Sequence, residues 1–406
     1  MRASADRGWP RGLAAAMLAA LIAGLLAGAS ALAGSGTGAR PAPAGFAGMV
    51  VDEPVWPNPG VDLAHQLDVM VASGVESLRV VFDWAQVQPF RRWNEVPAAE
   101  RRRFHDIAGV PTDFSALDQL VGLAARRNLT VLPEILDAPA WDGVSRPGAV
   151  VAIPASPGPY AAFAKTLVRR YGPRGTFWAA HPALPKVPIT MWQVWNEPDM
   201  TQFWPLAPFA PRYVALLRAA HDAIKSADPA ARVVLAGLTN YSWLDLARIY
   251  RIGGARSLFD VVAVHPFTRT PQDVITILTY VRQTMDQAGD ARKPLLADEV
   301  SWPSARGQRV RDYADFVTTP RGQARNIATL LPRLLSQRVR LGLLGFYYYN
   351  WAGYQHRGGF AFEFSGLFGF RPGAFVAKPA FSAFRRAALA IEGCRAKGRL
   401  ATSCTP

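Results

Sequence analysis

Cysteine is almost missing from this chain: Cys394 and Cys404 are the only two in 406 residues, ten positions apart in the tail. There is no cysteine pair at zinc spacing and no His-Glu-x-x-His helix, so no metal constellation is offered. A Gly-x-Gly-x-x-Gly strand-to-helix turn and a Walker loop are also lacking, which leaves nucleotide cofactors without a cradle. No repeat of about 20–50 residues points to a solenoid. Lysine is scarce too, at six of the 45 basic residues, the rest being arginine spread along the chain. The formal charge of +15 could favour acidic polysaccharide, anionic lipid or nucleic acid. A genome-level preference for arginine explains much of it, and no nucleic-acid partner is expected.

Half of the residues are hydrophobic and 18% are charged, the composition of a globular protein with a large core. The start differs. Arg2, Arg7 and Arg11 precede an uncharged Ala/Leu/Gly stretch from Leu13 to Ala33, with Ala29-Ser30-Ala31 or Ala31-Leu32-Ala33 as small-residue cleavage patterns. Residues 1–33 are expected to be a signal peptide for export, with a retained membrane anchor as the alternative, since a spanning helix needs ~20 residues. Residues 34–45, rich in Gly, Ala and Pro, form a flexible linker in either case. In an oxidising compartment Cys394 and Cys404 would close a loop in a tail of residues 393–406. A catalytic cysteine is the weaker reading, because neither lies in an apolar strand or near a histidine.

From Phe46 onward, apolar strand-like runs alternate with helical periodicity, the pattern of a parallel sheet with crossover helices. Strands are expected at Phe46–Val51, Ser77–Phe82, Thr130–Ile135, Ile189–Val194, Val233–Leu238, Val261–His265, Pro294–Ala297 and Leu341–Tyr349. Helices are expected near Val61–Ala72, Asp113–Arg127, Pro159–Tyr171, Pro211–Ser226, Trp243–Ile252, Pro271–Gln287, Pro320–Gln337 and Pro379–Ile391. Eight βα units predict a closed (β/α)8 TIM barrel over residues 46–392, with no composition break inside it. Two long irregular segments, Trp84–Thr112 and Ala138–Gly158, follow strands and belong on the C-terminal face.

Two of the strands end in acids. Trp195-Asn196-Glu197-Pro198 closes the fourth and Asp298-Glu299-Val300-Ser301-Trp302 the seventh. In a barrel such side chains converge whatever their distance in sequence. Two facing glutamates suit glycosidic bond cleavage, one protonating the leaving oxygen while the other meets the developing oxocarbenium ion. Their repulsion raises one pKa and keeps that group protonated. Taken alone, a strand-end glutamate is more often a surface ion pair or a neighbour of a helix cap.

Trp195-Asn196-Glu197-Pro198 resembles the acid/base signature of the retaining (β/α)8 glycoside hydrolases grouped as clan A, and Glu299-Val300-Ser301-Trp302 resembles their nucleophile motif. The resemblance implies Glu197 as acid/base and Glu299 as nucleophile. Arg79, His265 and Trp351 match the same pattern, which spans Phe46 to about Ile391. Arg170-Tyr171-Gly172-Pro173, with the Glu197 motif, is most similar to family 39 and to related family 5-like bacterial enzymes.

Arg79, a cation inside a strand, would keep Glu299 ionised. His265 would orient a carboxylate or a sugar hydroxyl, and Asn196 offers an amide to a hydroxyl. Many clan members carry a tyrosine two residues after this histidine, where this chain has Phe267; Tyr347 or Tyr349 is expected to supply the phenol. Among Trp84, Trp141, Trp195, Trp204, Trp302, Trp351 and Tyr354, the expected sugar-stacking platforms are Trp351 first, then Trp141 and Trp302. The expectation is an exported monomeric enzyme acting on a β-linked glycan with water alone and no cofactor. A silent glycan-binding barrel and a transglycosylase are the rivals.

Overall fold

The computed structural model describes residues 42–405 except Asn240 and Arg357. The expected leader, and the expected linker as far as residue 41, lie outside the described residues. Eight strands form one parallel sheet: β1 Ala47–Val50, β2 Ser77–Asp83, β3 Thr130–Leu136, β4 Met191–Val194, β5 Arg232–Val234, β6 Val262–Val264, β7 Leu295–Val300 and β8 Leu343–Tyr348. Neighbours pair in chain order, and β8 pairs with β1. Between β5 and β6 the ring closes through bridges at Val234–Val261 and Leu238–Val264. This is the (β/α)8 barrel that the alternation of runs predicts.

All eight strands fall where the apolar runs place them. The fifth is shorter than expected, because regular pairing stops at Val234 and the chain continues through single bonds, Leu235 N to Val261 O at 2.9 Å and Leu238 N to Ala263 O at 3.2 Å. The outer helices are α1 Leu63–Ala72, α2 Ser115–Arg126, α3 Pro157–Tyr171, α4 Phe209–Ala227, α5 Ser242–Tyr250, α6 Pro271–Gln287, α7 Pro320–Leu341 and α8 Pro379–Glu392. Among the described residues no helix is long and apolar enough to cross a membrane.

Strand register decides what points inward. Arg79 on β2 stands beside Val50 on β1 and Leu132 on β3, and Glu134, two residues further along β3, stands beside Gln193 on β4. Registered partners and residues two apart share a face, so these side chains all enter the barrel. Leu132, Val234, Ala263, Leu296 and Tyr347 fill it with a separate apolar cluster, while the larger core lies between strands and helices.

The two irregular segments hold short hairpins, His105–Ile107 with Val110–Thr112, and Gly143–Val144 with Ile153–Pro154. At the opposite end, the tail after α8 folds against the strand starts. Cys394 and Cys404 are bonded, with Cα atoms 5.2 Å apart, and Lys397 pairs with Glu76 at 2.8 Å and with Glu392.

Candidate active site

The strand ends open into a cavity of about 680 Å³. Glu197 follows β4, and Glu299 lies within β7. Each presents a carboxylate oxygen within 4.8 Å of the other, with a nitrogen of His265 inside the same radius. The expected pair therefore meets across the mouth, close to the ~5–5.5 Å carboxyl separation of retaining glycosidases.

Each carboxylate has its own support. Arg79 is buried and donates from Nη1 to Glu299 Oε1 at 2.6 Å, from Nη2 to Asn196 Oδ1 at 2.9 Å, and from Nε to Gln193 Oε1 at 2.7 Å. It also faces Glu134 at 3.1 Å and Asp298 at 3.4 Å. Burial disfavours a lone cation here, but Glu134, Glu299 and Asp298 outweigh it and hold the guanidinium charged. Its expected partnership with Glu299 is present.

His265 Nδ1 lies 2.6 Å from Glu197 Oε1, and Nε2 lies 3.4 Å from Asp298 and 3.7 Å from Glu299. Burial alone would lower its pKa; the charges of Glu299 and Asp298, with hydrogen bonds to Asp298 and Glu197, carry it well above the ordinary value. Glu197, His265 and Glu299 thus form one compact cluster, with the imidazole between the two carboxylates.

The backbone around Glu197 is unusual. Trp195 and Glu197 adopt φ of +74° and +36°, left-handed values that cost side-chain-bearing residues energy and persist where the surroundings enforce them. Glu197 N donates to Gly237 O at 3.2 Å. The Gly237 Cα lies so close to the His265 ring that a Cβ there would collide with the imidazole.

The acids differ in state. Asp298 is held below the usual aspartate value: burial pushes up, but His265 and Arg79 pull down harder. Glu299 is raised by burial and by Glu197 and Asp298, against the pull of His265 and Arg79. Burial brings Glu134 to about 8 despite Arg79, and Asp52 to about 7 despite an Asn350 hydrogen bond.

The tryptophan expectations need correction. Trp351 is fully buried, donates to Gln66 Oε1 at 2.9 Å and packs on Phe368 and Phe381 behind the barrel. Trp302 is buried as well. Trp141 packs edge-on against Trp84 at 5.4 Å and donates to Gln88 O. None of the three lines the cavity. Its aromatic walls are phenylalanines and tyrosines, including Phe267, Tyr313, Tyr349, Tyr354 and Phe362. Tyr349 crosses Phe267 at 6.1 Å and faces Asp52, whereas Tyr347 lies below, bonded to Ser77.

Asp298, Gln193, Glu134 and Asp52 are the site residues that motif reading misses. Each had a signal: an acid or amide inside, or directly after, an apolar strand run.

The chain matches no family model, and no curated protein matches it in sequence. Solved structures do match its fold. A family 39 glycoside hydrolase from the gut symbiont Bacteroides cellulosilyticus WH2 superposes with a TM-score of 0.56 at 16% identity over 85% of this chain. A family 39 β-xylosidase from Caulobacter crescentus gives 0.59 at 19% identity, covering 85% of this chain and 71% of that one. An exo-β-1,4-mannosidase from an Opitutaceae bacterium gives 0.55 at 17%, covering 85% and 59%. This chain spans 63% of the length of the Bacteroides structure. What these structures share with this chain is the (β/α)8 fold, and two of the three are family 39 enzymes.

Proposed function

We propose that this protein is a retaining glycoside hydrolase that cleaves β-linked oligosaccharide or polysaccharide, exported by its N-terminal segment. The observation that carries the proposal is the Glu197–Glu299 pair, brought within 4.8 Å and supported from separate sides by His265 and Arg79. Glu299 Oε1 is engaged by Arg79, leaving Oε2 to attack the anomeric carbon. Glu197 Oε1 is engaged by His265, so Oε2 carries the proton given to the leaving oxygen. The first displacement forms a glycosyl ester on Glu299 and breaks the glycosidic bond. Glu197 then takes a proton from water, which attacks the same carbon, breaks the ester and restores both carboxyl groups. Two inversions give net retention.

Only water is consumed. The likeness to family 39 structures supports the same assignment at the level of fold. Glu197→Gln and Glu299→Gln are each expected to lower kcat/KM by roughly 10²–10⁴-fold on a glycan that the native enzyme cleaves. Azide added to Glu299→Ala should restore turnover with an α-glycosyl azide as product. Unchanged kinetics in either glutamine variant would overturn the assignment.

A further inference from the structure

Among the polar side chains of the cavity that the mechanism above does not consume are Asp52 after β1, Glu134 on β3 and Asn350 after β8. Asn350 Nδ2 donates to Asp52 Oδ1 at 2.6 Å, which fixes the amide with its oxygen turned away from that bond. Asn350 Oδ1 and Glu134 Oε1 are both buried, and no described residue donates to either. Glu134 is 4% exposed and Asn350 3% exposed. All three residues line the cavity. Glu134 and Asp52 lie close enough to Glu299 for its charge to raise their pKa values.

Buried acceptors in a folded protein are normally satisfied, and a pair left open on one cavity wall calls for donors from what binds there. Asp52 and Glu134 flank Arg79 around the barrel, on the arc from β8 to β3 beside Glu299. These residues line the same cavity as Glu299, where the ring it attacks would sit.

We propose that Asp52, Glu134 and Asn350 form the wall that reads this sugar, and that the sugar presents donors there, hydroxyl or ammonium, and is not a uronate. The proposal rests on the glycosidase reading and narrows its substrate class. A sugar carboxylate on this wall would meet Asp52, Glu134 and Glu299, three acids already crowded in a buried space. Burial already lifts Asp52 to about 7 and Glu134 to about 8, so a fourth carboxylate would add repulsion to a wall that is short of positive charge and would bind only with further proton uptake. Arg79 offers little relief, because Gln193, Asn196, Glu134 and Glu299 already engage its nitrogens.

The test uses the full-length enzyme and a panel of matched substrates: β-glucosides, β-galactosides and their polymers, the corresponding uronates, and glucosaminides. Kinetics are measured at pH 7.5 for wild type, Asp52→Asn and Asn350→Ala. The expected result is turnover of neutral or amino substrates at least about 100-fold faster than of matched uronates, with glucosaminide against glucoside separating ammonium from hydroxyl recognition. In Asp52→Asn, KM for the preferred substrate should rise about tenfold or more, and the gap to the uronate should shrink by a similar factor. A purely structural role for Asp52 would lower all rates together and leave that gap unchanged. Asn350→Ala should raise KM for the preferred substrate as well, because its amide acceptor on the wall is lost.

Equal turnover of uronates by wild type, or an unaltered gap in Asp52→Asn, would overturn the proposal. Absence of turnover on every member would instead count against the glycosidase reading and, with it, this inference.

Discussion

Arg79 meets Glu134, Asp298 and Glu299 with one guanidinium, and only His265 shares the work of balancing Asp298 and Glu299. Replacing it with methionine would fill much of the volume but leave Glu134 without a close cation and Asp298 and Glu299 with His265 alone. Breaking a buried ion pair by removing one partner costs about 3–5 kcal/mol. Arg79→Met is therefore expected to lower the urea midpoint clearly and to abolish turnover; wild-type stability in that variant would mean that the acids are neutral in the native site. Arg79, Glu197, Glu299 and His265 were legible in the sequence because each lies inside or directly after an apolar strand run and the residues around them resemble known glycosidase motifs; strand-end position alone would not have singled them out. The tryptophan platforms were misread for a related reason. Position at a strand end says nothing of which face a side chain takes, and Trp351 turns outward against Gln66 of α1 while Tyr349 turns into the cavity.

At the scale of elements, the alternation of apolar runs located all eight barrel strands, because period-two and period-3.6 patterns are set by burial. The ends were less visible. Where β5 gives way to the bridge at Leu238, Gly237 allows the backbone to pass under the His265 ring, a tertiary contact that a single run does not encode. Gly237→Ala should push the imidazole away from Glu197 and Asp298. Misplacing a catalytic group by about 1 Å costs roughly 10²-fold in rate, so kcat/KM should drop by that order while the far-UV circular dichroism spectrum stays native. Unchanged kcat/KM would mean that His265 can shift without consequence. The hairpins inside the loops after β2 and β3 left no sequence signature, since their strands are only two or three residues long.

For the whole molecule, the mouth concentrates acids in a chain whose net charge is +15. Burial lifts Asp52 to about 7, Glu134 to about 8 and Asp199 to about 6, from ordinary values near 4. Between pH 5 and 7 the folded state thus binds more protons at these groups than the unfolded chain, so stability falls as pH rises. His265 acts in the same direction: its charged form is favoured on folding, and that stabilisation is complete below the ordinary value of 6.5 and lost as pH climbs through its raised folded pKa. The urea midpoint should accordingly be higher at pH 5 than at pH 7.5, and Asp52→Asn should flatten the slope; a midpoint that rises over this interval would contradict these assignments. The central claim is double displacement through the Glu197–Glu299 pair. Its most direct test is proton NMR of the first sugar anomer released from the best-cleaved β-glycan. The account predicts the β-anomer first, mutarotating afterwards to the α form, and initial release of the α-anomer would contradict it.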